Sequence, residues 1–374
     1  MATPSIGQSP PRKEGNAKVT GAARYVDDVT MPGMIHGVTV RSACARGRIR
    51  GVRFGEGIPW DEIAVVVAAD IPELARRLGG TGANVVALIN DDQQALADGA
   101  INHPEEPVAL LAHPSRALLE KARSAVAVDV EPLPPVFTIE DALAPAHVVW
   151  GADNLFKEYS ITKGDVDAAL ARPDVIVVEG EYRTGAQEQL YIEPNGMIAV
   201  ATPEHGVTVW GSMQCPYYIQ KAMMRLFGLP ADRARVVQLE TGGGFGGKEE
   251  YPSMIAVHAA LLSARTGKPV KIVYDRAEDM AATTKRHPSR TRHRTAVTRD
   301  GRIVALDIDF VIDGGAYSTL SQVVLSRGCI HAAGPYDVDH VRIRARAVAT
   351  NAPPHGAFRG FGAPQSLFAL ERHM

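Results

Sequence analysis

Cysteine is scarce in this sequence: three in 374 residues, at Cys44, Cys215 and Cys329, none in a C-x-x-C pair. That spacing supports neither a zinc site nor an iron–sulfur cluster. An odd, sparse set of thiols points instead to a reducing, cytoplasmic setting. No apolar run reaches transmembrane length, so no membrane association is expected. The start, MATPSIGQSPPRKEGN, is polar and proline-rich and lacks the apolar core of a secretory signal; residues 1–17 read as a loose arm. Net charge is close to balance, at −2, which leaves no global basic field and no expectation of nucleic-acid binding. There is no short repeat and no low-complexity tract.

What remains is an ordinary globular composition, 45% apolar and 22% charged, in a chain long enough for two or three domains. Strands are expected at 64–69, 107–112, 175–182, 207–210, 235–239 and 269–274, where short apolar or alternating runs are bounded by turn residues. Pro216 to Phe227 predicts a helix: proline suits its first turn, Ile219, Met223, Leu226 and Phe227 share a face, and Gly228 stops it. Helices are also expected over 114–126 and from about Pro252 to Arg265, the latter closed by Gly267. Asp300-Gly301, between expected strands from Arg294 to Thr298 and from Ile303 to Ile312, predicts a hairpin. The sequence Glu131-Pro132-Leu133-Pro134-Pro135 is a stiff break, and a boundary near Ala144 divides a unit over 18–144 from one over 145–374. Without a clean βαβ repeat, the class is α+β.

The segment Thr241-Gly242-Gly243-Gly244-Phe245-Gly246-Gly247-Lys248-Glu249 lies between an expected strand and an expected helix. Glycines there let backbone N–H groups approach an anion or a flat cofactor, and a helix start favours negative charge. The run meets most of the phosphate-loop pattern G-x-x-x-x-G-K-[ST]. It fails where a magnesium-binding hydroxyl is required, because Glu249 stands there. A plain glycine-rich turn and a cofactor loop both remain open on spacing alone.

GGGFGGKE resembles the cofactor loop of the molybdenum subunit in the xanthine dehydrogenase/aldehyde oxidase family. Ala357-Phe358-Arg359-Gly360-Phe361-Gly362-Ala363-Pro364-Gln365 resembles the second cofactor and substrate loop of the same family. Gln214 stands where a family glutamine approaches a molybdenum oxo ligand. Gln187, Glu193-Pro194 and the run from Asp275 to Met280 resemble further family segments. Residues 21–28 and Arg41-Ser42 resemble its hammerhead domain, with Cys44 and Arg46 where histidines are common.

The resemblance implies a hammerhead domain followed by the first molybdopterin-binding domain. It implies hydroxylation of a heteroaromatic or aldehyde carbon with oxygen from water, two electrons passing to molybdenum. Gln214, Gly244, Phe245, Gly246, Arg359 and Phe361 would hold the molybdenum–molybdopterin group, whose cytosine dinucleotide form is left open. The metal itself is held through the pterin, so no protein metal ligand is expected. Iron–sulfur clusters and FAD would lie on partner chains. The family's catalytic glutamate belongs to a second cofactor-binding half, which this sequence does not contain, so the chain is expected to be inactive without it. In purine-oxidising members a glutamate and an arginine stand where Glu249 and Arg327 stand here. With Phe361 and Ala357, these two would orient and polarise a purine such as xanthine or hypoxanthine. Another N-heterocycle, an aldehyde, or a non-catalytic cofactor-binding role are the alternatives.

Overall fold

The computed structural model describes residues 6–86 and 88–374; the first five residues of the expected arm lie outside them. The described part of the arm ends in a short helix, Gly15–Val19. Among the described residues fifteen strands follow. They are β1 (Ile35–Arg41), β2 (Gly47–Phe54), β3 (Ala64–Val67), β4 (Ala100–Ile101), β5 (Pro107–His113), β6 (Val126–Pro132), β7 (Leu155–Lys163) and β8 (Val175–Thr184). Then come β9 (Gly196–Thr202), β10 (Gly206–Gly211), β11 (Ala234–Gln238), β12 (Val270–Val273), β13 (Ser289–Thr298), β14 (Ile303–Asp313) and β15 (His340–Val348).

They form three sheets, and the fold is a mixed α+β one. The seven-stranded sheet has the order β11-β10-β9-β12-β1-β5-β3. Strands from both sides of position 144 therefore share it. β1 pairs parallel with β12, Ile35 opposite Val270 and His36 opposite Lys271. The Pro-rich break at 131–135 divides the sequence without dividing this sheet. A parallel pair needs a long crossover, and here the crossover is most of the chain.

The helix Pro252–Thr266 explains why that sheet holds together. Its residues from Pro252 to Ser263 are all buried, as expected for a helix apolar on every side. Ile255, Ala259 and Leu262 sit in one core cluster with Ile35, Leu110, Met197 and Val270. His258, inside this helix, donates from Nε2 to the Ala95 carbonyl at 2.8 Å, and burial pushes its imidazole down to about 3. The adjoining helix Pro216–Phe227 ends at Gly228, whose φ is +66°, the left-handed stop that glycine supplies.

The five-stranded sheet, β7-β15-β14-β13-β8, carries the second core. Phe310, Ile312, Ala345 and Ala347 pack against Val324, Leu325 and Cys329 of the Ser321–His331 helix. The last helix, Ala363–His373, lies beside it. The third sheet, β4-β2-β6, is small and lies at the N-terminal end of the fold. Among the described residues no helix is long and apolar enough to cross a membrane.

Candidate functional site: a cleft between two loops

Two loops face each other across the fold. The first, residues 241–250, links β11 to the buried helix. The second, residues 355–361, leads from β15 to the last helix. Backbone contacts stitch them together: Arg359 N–H donates to the Phe245 carbonyl at 2.8 Å, and Ala357 N–H donates to Glu250 Oε1 at 3.0 Å. Gly246, at φ +105°, sits so close to Ala357 that a Cβ would lie 2.6 Å from its carbonyl carbon. Both the conformation and the space demand glycine there. Gly246→Ala is expected to destabilise the fold by about 1–3 kcal/mol through backbone strain and to spread the two loops. Chemical denaturation reads the first effect and amide exchange at Arg359 the second; an unchanged midpoint with a protected Arg359 amide would refute it.

The first loop is held from below. Glu193 Oε2 accepts from Gly242 N–H, Ser212 Oγ and Lys248 Nζ, each at 2.7 Å. Lys248 is fully buried, and its ammonium lies 5.0 Å from the centre of the Tyr191 ring. Burial pulls its pKa down while Glu193 opposes that shift. The lysine that looked like a phosphate-loop residue thus points inward at a carboxylate, which closes the nucleotide-phosphate reading.

Between the loops lies a cleft of about 360 Å³, lined by Gln214, Phe245, Gly246, Glu249, Ala357, Phe358, Arg359, Gly360 and Phe361. Gln214 is locked. Its Oε1 accepts from Gly246 N–H at 2.9 Å and from Lys248 N–H at 3.3 Å, and its own N–H donates to the Lys248 carbonyl at 2.7 Å. With the oxygen engaged, the amide NH₂ is the end left free for the cleft. Gly244 stands behind this side chain: a Cβ there would lie 2.4 Å from Gln214 Oε1. Phe245 and Phe361 both have positive φ, +53° and +50°, a strained state for residues with side chains. Glu249 is half-buried, and burial raises its carboxyl above the usual range.

The structure therefore gathers Gln214, Phe245, Gly246, Glu249, Ala357, Arg359 and Phe361 into one cleft, with Gly244 as backing. Arg327 is the exception. Its helix packs through Val324, Leu325, Gly328 and Cys329, and Arg327 falls on the opposite, exposed face. The backbone of this helix closes on Gly362, where a Cβ would lie 2.2 Å from the Val324 carbonyl oxygen, and Arg327 is not among the residues that line the cleft. Sequence reasoning missed the roles of Glu193, Ser212 and Glu250, and of Arg286, whose guanidinium stacks 4.1 Å from the Phe358 ring centre and donates to the Arg359 carbonyl at 2.9 Å. The one available signal was a lysine in an otherwise failed phosphate-loop pattern.

Residues 150–374 match the molybdopterin cofactor-binding domain family, and residues 20–134 match the aldehyde oxidase and xanthine dehydrogenase, a/b hammerhead domain. The chain belongs to the xanthine dehydrogenase/aldehyde oxidase family. It is 34% identical to the nicotinate dehydrogenase large molybdopterin subunit of Eubacterium barkeri, over 99% of this chain and 84% of that protein. It is 33% identical to a probable xanthine dehydrogenase component of Bacillus subtilis, over 97% of this chain and 47% of the relative. The aldehyde oxidoreductase of Desulfovibrio gigas superposes with a TM-score of 0.85 at 28% identity, covering 96% of this chain and 40% of that one. The chain thus spans most of one relative and less than half of the others.

The cleft fits the group that this family binds. A free amide donor at Gln214, an exposed guanidinium at Arg359 and two aromatic side chains offer hydrogen bonds, positive charge and a flat wall. An anionic, oxo-bearing, planar pterin–molybdenum group calls for that set.

Proposed function

We propose that this chain forms the cofactor-facing part of a molybdenum hydroxylase acting on an electron-poor N-heterocycle. The observation that carries it is the convergence of Gln214, Phe245, Arg359 and Phe361 on one cleft with the Glu249 carboxyl in its wall. When bound, the molybdenum–pterin group supplies the two-electron oxidation and delivers oxygen from water. The chain's own residues do the rest. Gln214 NH₂ and Arg359 hold the anionic group, Phe245 and Phe361 bracket a flat ring, and Glu249 hydrogen-bonds a ring N–H or ring nitrogen. Two relatives named for N-heterocycles, nicotinate and xanthine, support that substrate class. Within it, a purine such as xanthine or hypoxanthine is our specific proposal, with Glu249 and Arg327 as the two residues that would orient it. Iron–sulfur and FAD subunits receive the electrons, and the pterin carries the cytosine dinucleotide or the simpler form. The position of Arg327 outside the cleft favours a second reading, an aldehyde substrate, as does the likeness to an aldehyde oxidoreductase.

We further infer that turnover needs polypeptide beyond this chain, because the chain spans only 47% and 40% of two of the proteins it resembles. Purified alone from a host that makes the cofactor, it is expected to oxidise none of xanthine, nicotinate or benzaldehyde with an artificial electron acceptor. Produced with the remaining molybdenum-subunit polypeptide and the electron-transfer subunits, it should contain molybdenum and pterin and prefer an N-heterocycle. A preference for benzaldehyde would establish the second reading. Turnover by the lone chain would remove the requirement for a second part, and assembled protein free of molybdenum would remove the hydroxylase proposal itself.

A further inference from the structure

Beneath the cleft, Glu250 is a buried carboxyl, 3% exposed, at the point where the two loops are tied. Its Oε1 accepts from Ala357 N–H at 3.0 Å. Gly356 is pressed onto the same oxygen: a Cβ at that position would lie 1.4 Å from Oε1 and 2.8 Å from Thr284 Cβ. The other carboxyl oxygen, Oε2, is buried without a partner, and so is the Thr284 hydroxyl oxygen. The Thr284 hydroxyl neighbours this carboxyl, and one proton between the two oxygens would satisfy both; the burial and the absence of a counter-charge decide in favour of the carboxylic one. An ionised form would need a cation, and none among the described residues forms an ion pair with Glu250.

The charged and titratable groups around it do not supply one. Glu249, next in the chain, repels a second negative charge. Lys285, adjoining Thr284, is committed to Glu188 at 2.8 Å. Arg286 is committed to Gln187 and to the Arg359 carbonyl, each at 2.9 Å. His355, in the second loop, has its pKa lowered by burial, with Asp313 opposing. Cys215 and Tyr218, from the start of the Pro216–Phe227 helix, both feel Glu250, and burial pushes the Cys215 thiol up to about 11.

We propose that Glu250 is a positioning residue that acts as a neutral carboxylic acid, donating from Oε2 to Thr284 Oγ1 while Oε1 holds Ala357 N–H. It thereby fixes the second loop, with Ala357, Arg359 and Phe361, against the first. Burial and the neighbouring Glu249 push its carboxyl up to about 7, outweighing the hydrogen bonds from Ala357 and Thr284 that would favour the charged form. Ionisation leaves a buried charge that Ala357 N–H and the Thr284 hydroxyl can solvate but no cation balances, so the tie between the loops is strongest in the acid form. The consequence for catalysis rests on the reading of the cleft given above; the protonation state itself does not.

The experiment is therefore done first on this chain alone. Carbon-13 NMR of labelled glutamate side chains, followed from pH 5 to 9, should show one carboxyl titrating near neutrality that is missing in Glu250→Gln. A raised carboxyl stabilises the fold fully below its unfolded value and loses that contribution as pH rises through the folded one. Glu250→Gln keeps the acceptor for Ala357 and a donor for Thr284. Relative to it, the parent's folded-to-unfolded ratio should fall by about two orders of magnitude between pH 5 and 8. Thr284→Val removes the proton's acceptor and should lower the midpoint; it serves also if Glu250→Gln fails to fold. A carboxyl titrating in the ordinary range, or a midpoint that rises in Thr284→Val, overturns the proposal. In the assembled enzyme, Glu250→Leu should lose bound molybdenum and pterin while Glu250→Gln retains them. If the titration is as expected but both variants load equally, the acid form stands and its role in shaping the cleft is overturned.

Discussion

Lys248→Met is expected to lower the unfolding free energy by about 3–5 kcal/mol, the cost of leaving one member of a buried ion pair without the other. The magnitude follows from the surroundings of Glu193. Its Oε2 accepts from the ammonium, from Ser212 Oγ and from Gly242 N–H, each at 2.7 Å. Lys248 is wholly buried and the Glu193 side chain is 14% exposed. Without the lysine the carboxylate keeps three neutral donors, Gly242 N–H, Ser212 Oγ and Val26 N–H, and loses the one counter-charge it has among the described residues. Methionine fills much of the volume, so the loss is electrostatic rather than a cavity. The pair Lys248→Met with Glu193→Gln should recover at least half of it, because the glutamine oxygen still accepts from Gly242 and Ser212 and no charge remains to be paired. Urea denaturation of the three variants and the parent checks this. A single-variant cost below about 1 kcal/mol, in the range of surface ion pairs, would show that Glu193 does not depend on Lys248.

That pair also marks where sequence reading ran out. The loop it supports was legible, because glycines, an aromatic and a following helix are a local pattern. Its anchoring was not, since Glu193 and Lys248 are 55 residues apart and only the fold brings them together. The elements show the same division. Pro216–Phe227 follows from proline, a four-residue apolar face and glycine, all local. The helix from Pro252 was read equally well, closing at Thr266 with Gly267 at φ +66°. β13 begins at Ser289, five residues before the expected Arg294, because Arg290 and Arg292 at its start read as solvated polar residues. In the sheet they meet acids on neighbouring elements: Arg290 pairs with Glu140 at 2.8 Å and Arg292 with Glu181 at 2.7 Å. β15, His340–Val348, was not expected for the same reason. Its Arg342 and Arg344 pair with Asp307 and Glu158, at 2.7 and 2.9 Å. One strand in isolation shows arginines at alternate positions; only the pleated neighbours reveal their partners.

The parallel pairing of β1 with β12 was likewise beyond local pattern. Neither strand encodes its neighbour, and Val270 lies 229 positions beyond Arg41. A break in composition at 131–135 is a true property of the chain, since prolines stiffen it there. It carries no information about which strands later meet. The cleft depends on the same long-range closure, for its two loops lie more than a hundred residues apart and are joined by Arg359 N–H on the Phe245 carbonyl.

Glu249→Ala in the assembled enzyme is expected to reduce kcat/KM for an N-heterocycle by about a hundred- to a thousandfold, or roughly 2.7–4 kcal/mol of transition-state stabilisation. Benzaldehyde should be oxidised within a few-fold of the parent rate, because it offers no ring N–H to a carboxyl in the cleft wall. The pH dependence carries a second sign. Burial raises the Glu249 carboxyl, so an acceptor role predicts activity that climbs as pH passes upward through that raised value. In Glu249→Gln this limb should vanish while some binding survives. Arg327→Met separates the purine proposal from the broader one. Arginine can stabilise negative charge developing on a purine oxygen, so the variant should lose xanthine oxidation to a similar degree and leave nicotinate nearly unaffected. Xanthine turnover unchanged in Arg327→Met with a full complement of molybdenum would retire the purine assignment, in keeping with a side chain that stands outside the cleft. A uniform fall on all three substrates in Glu249→Ala, with molybdenum content unchanged, would show that Glu249 shapes the cleft without selecting what enters it.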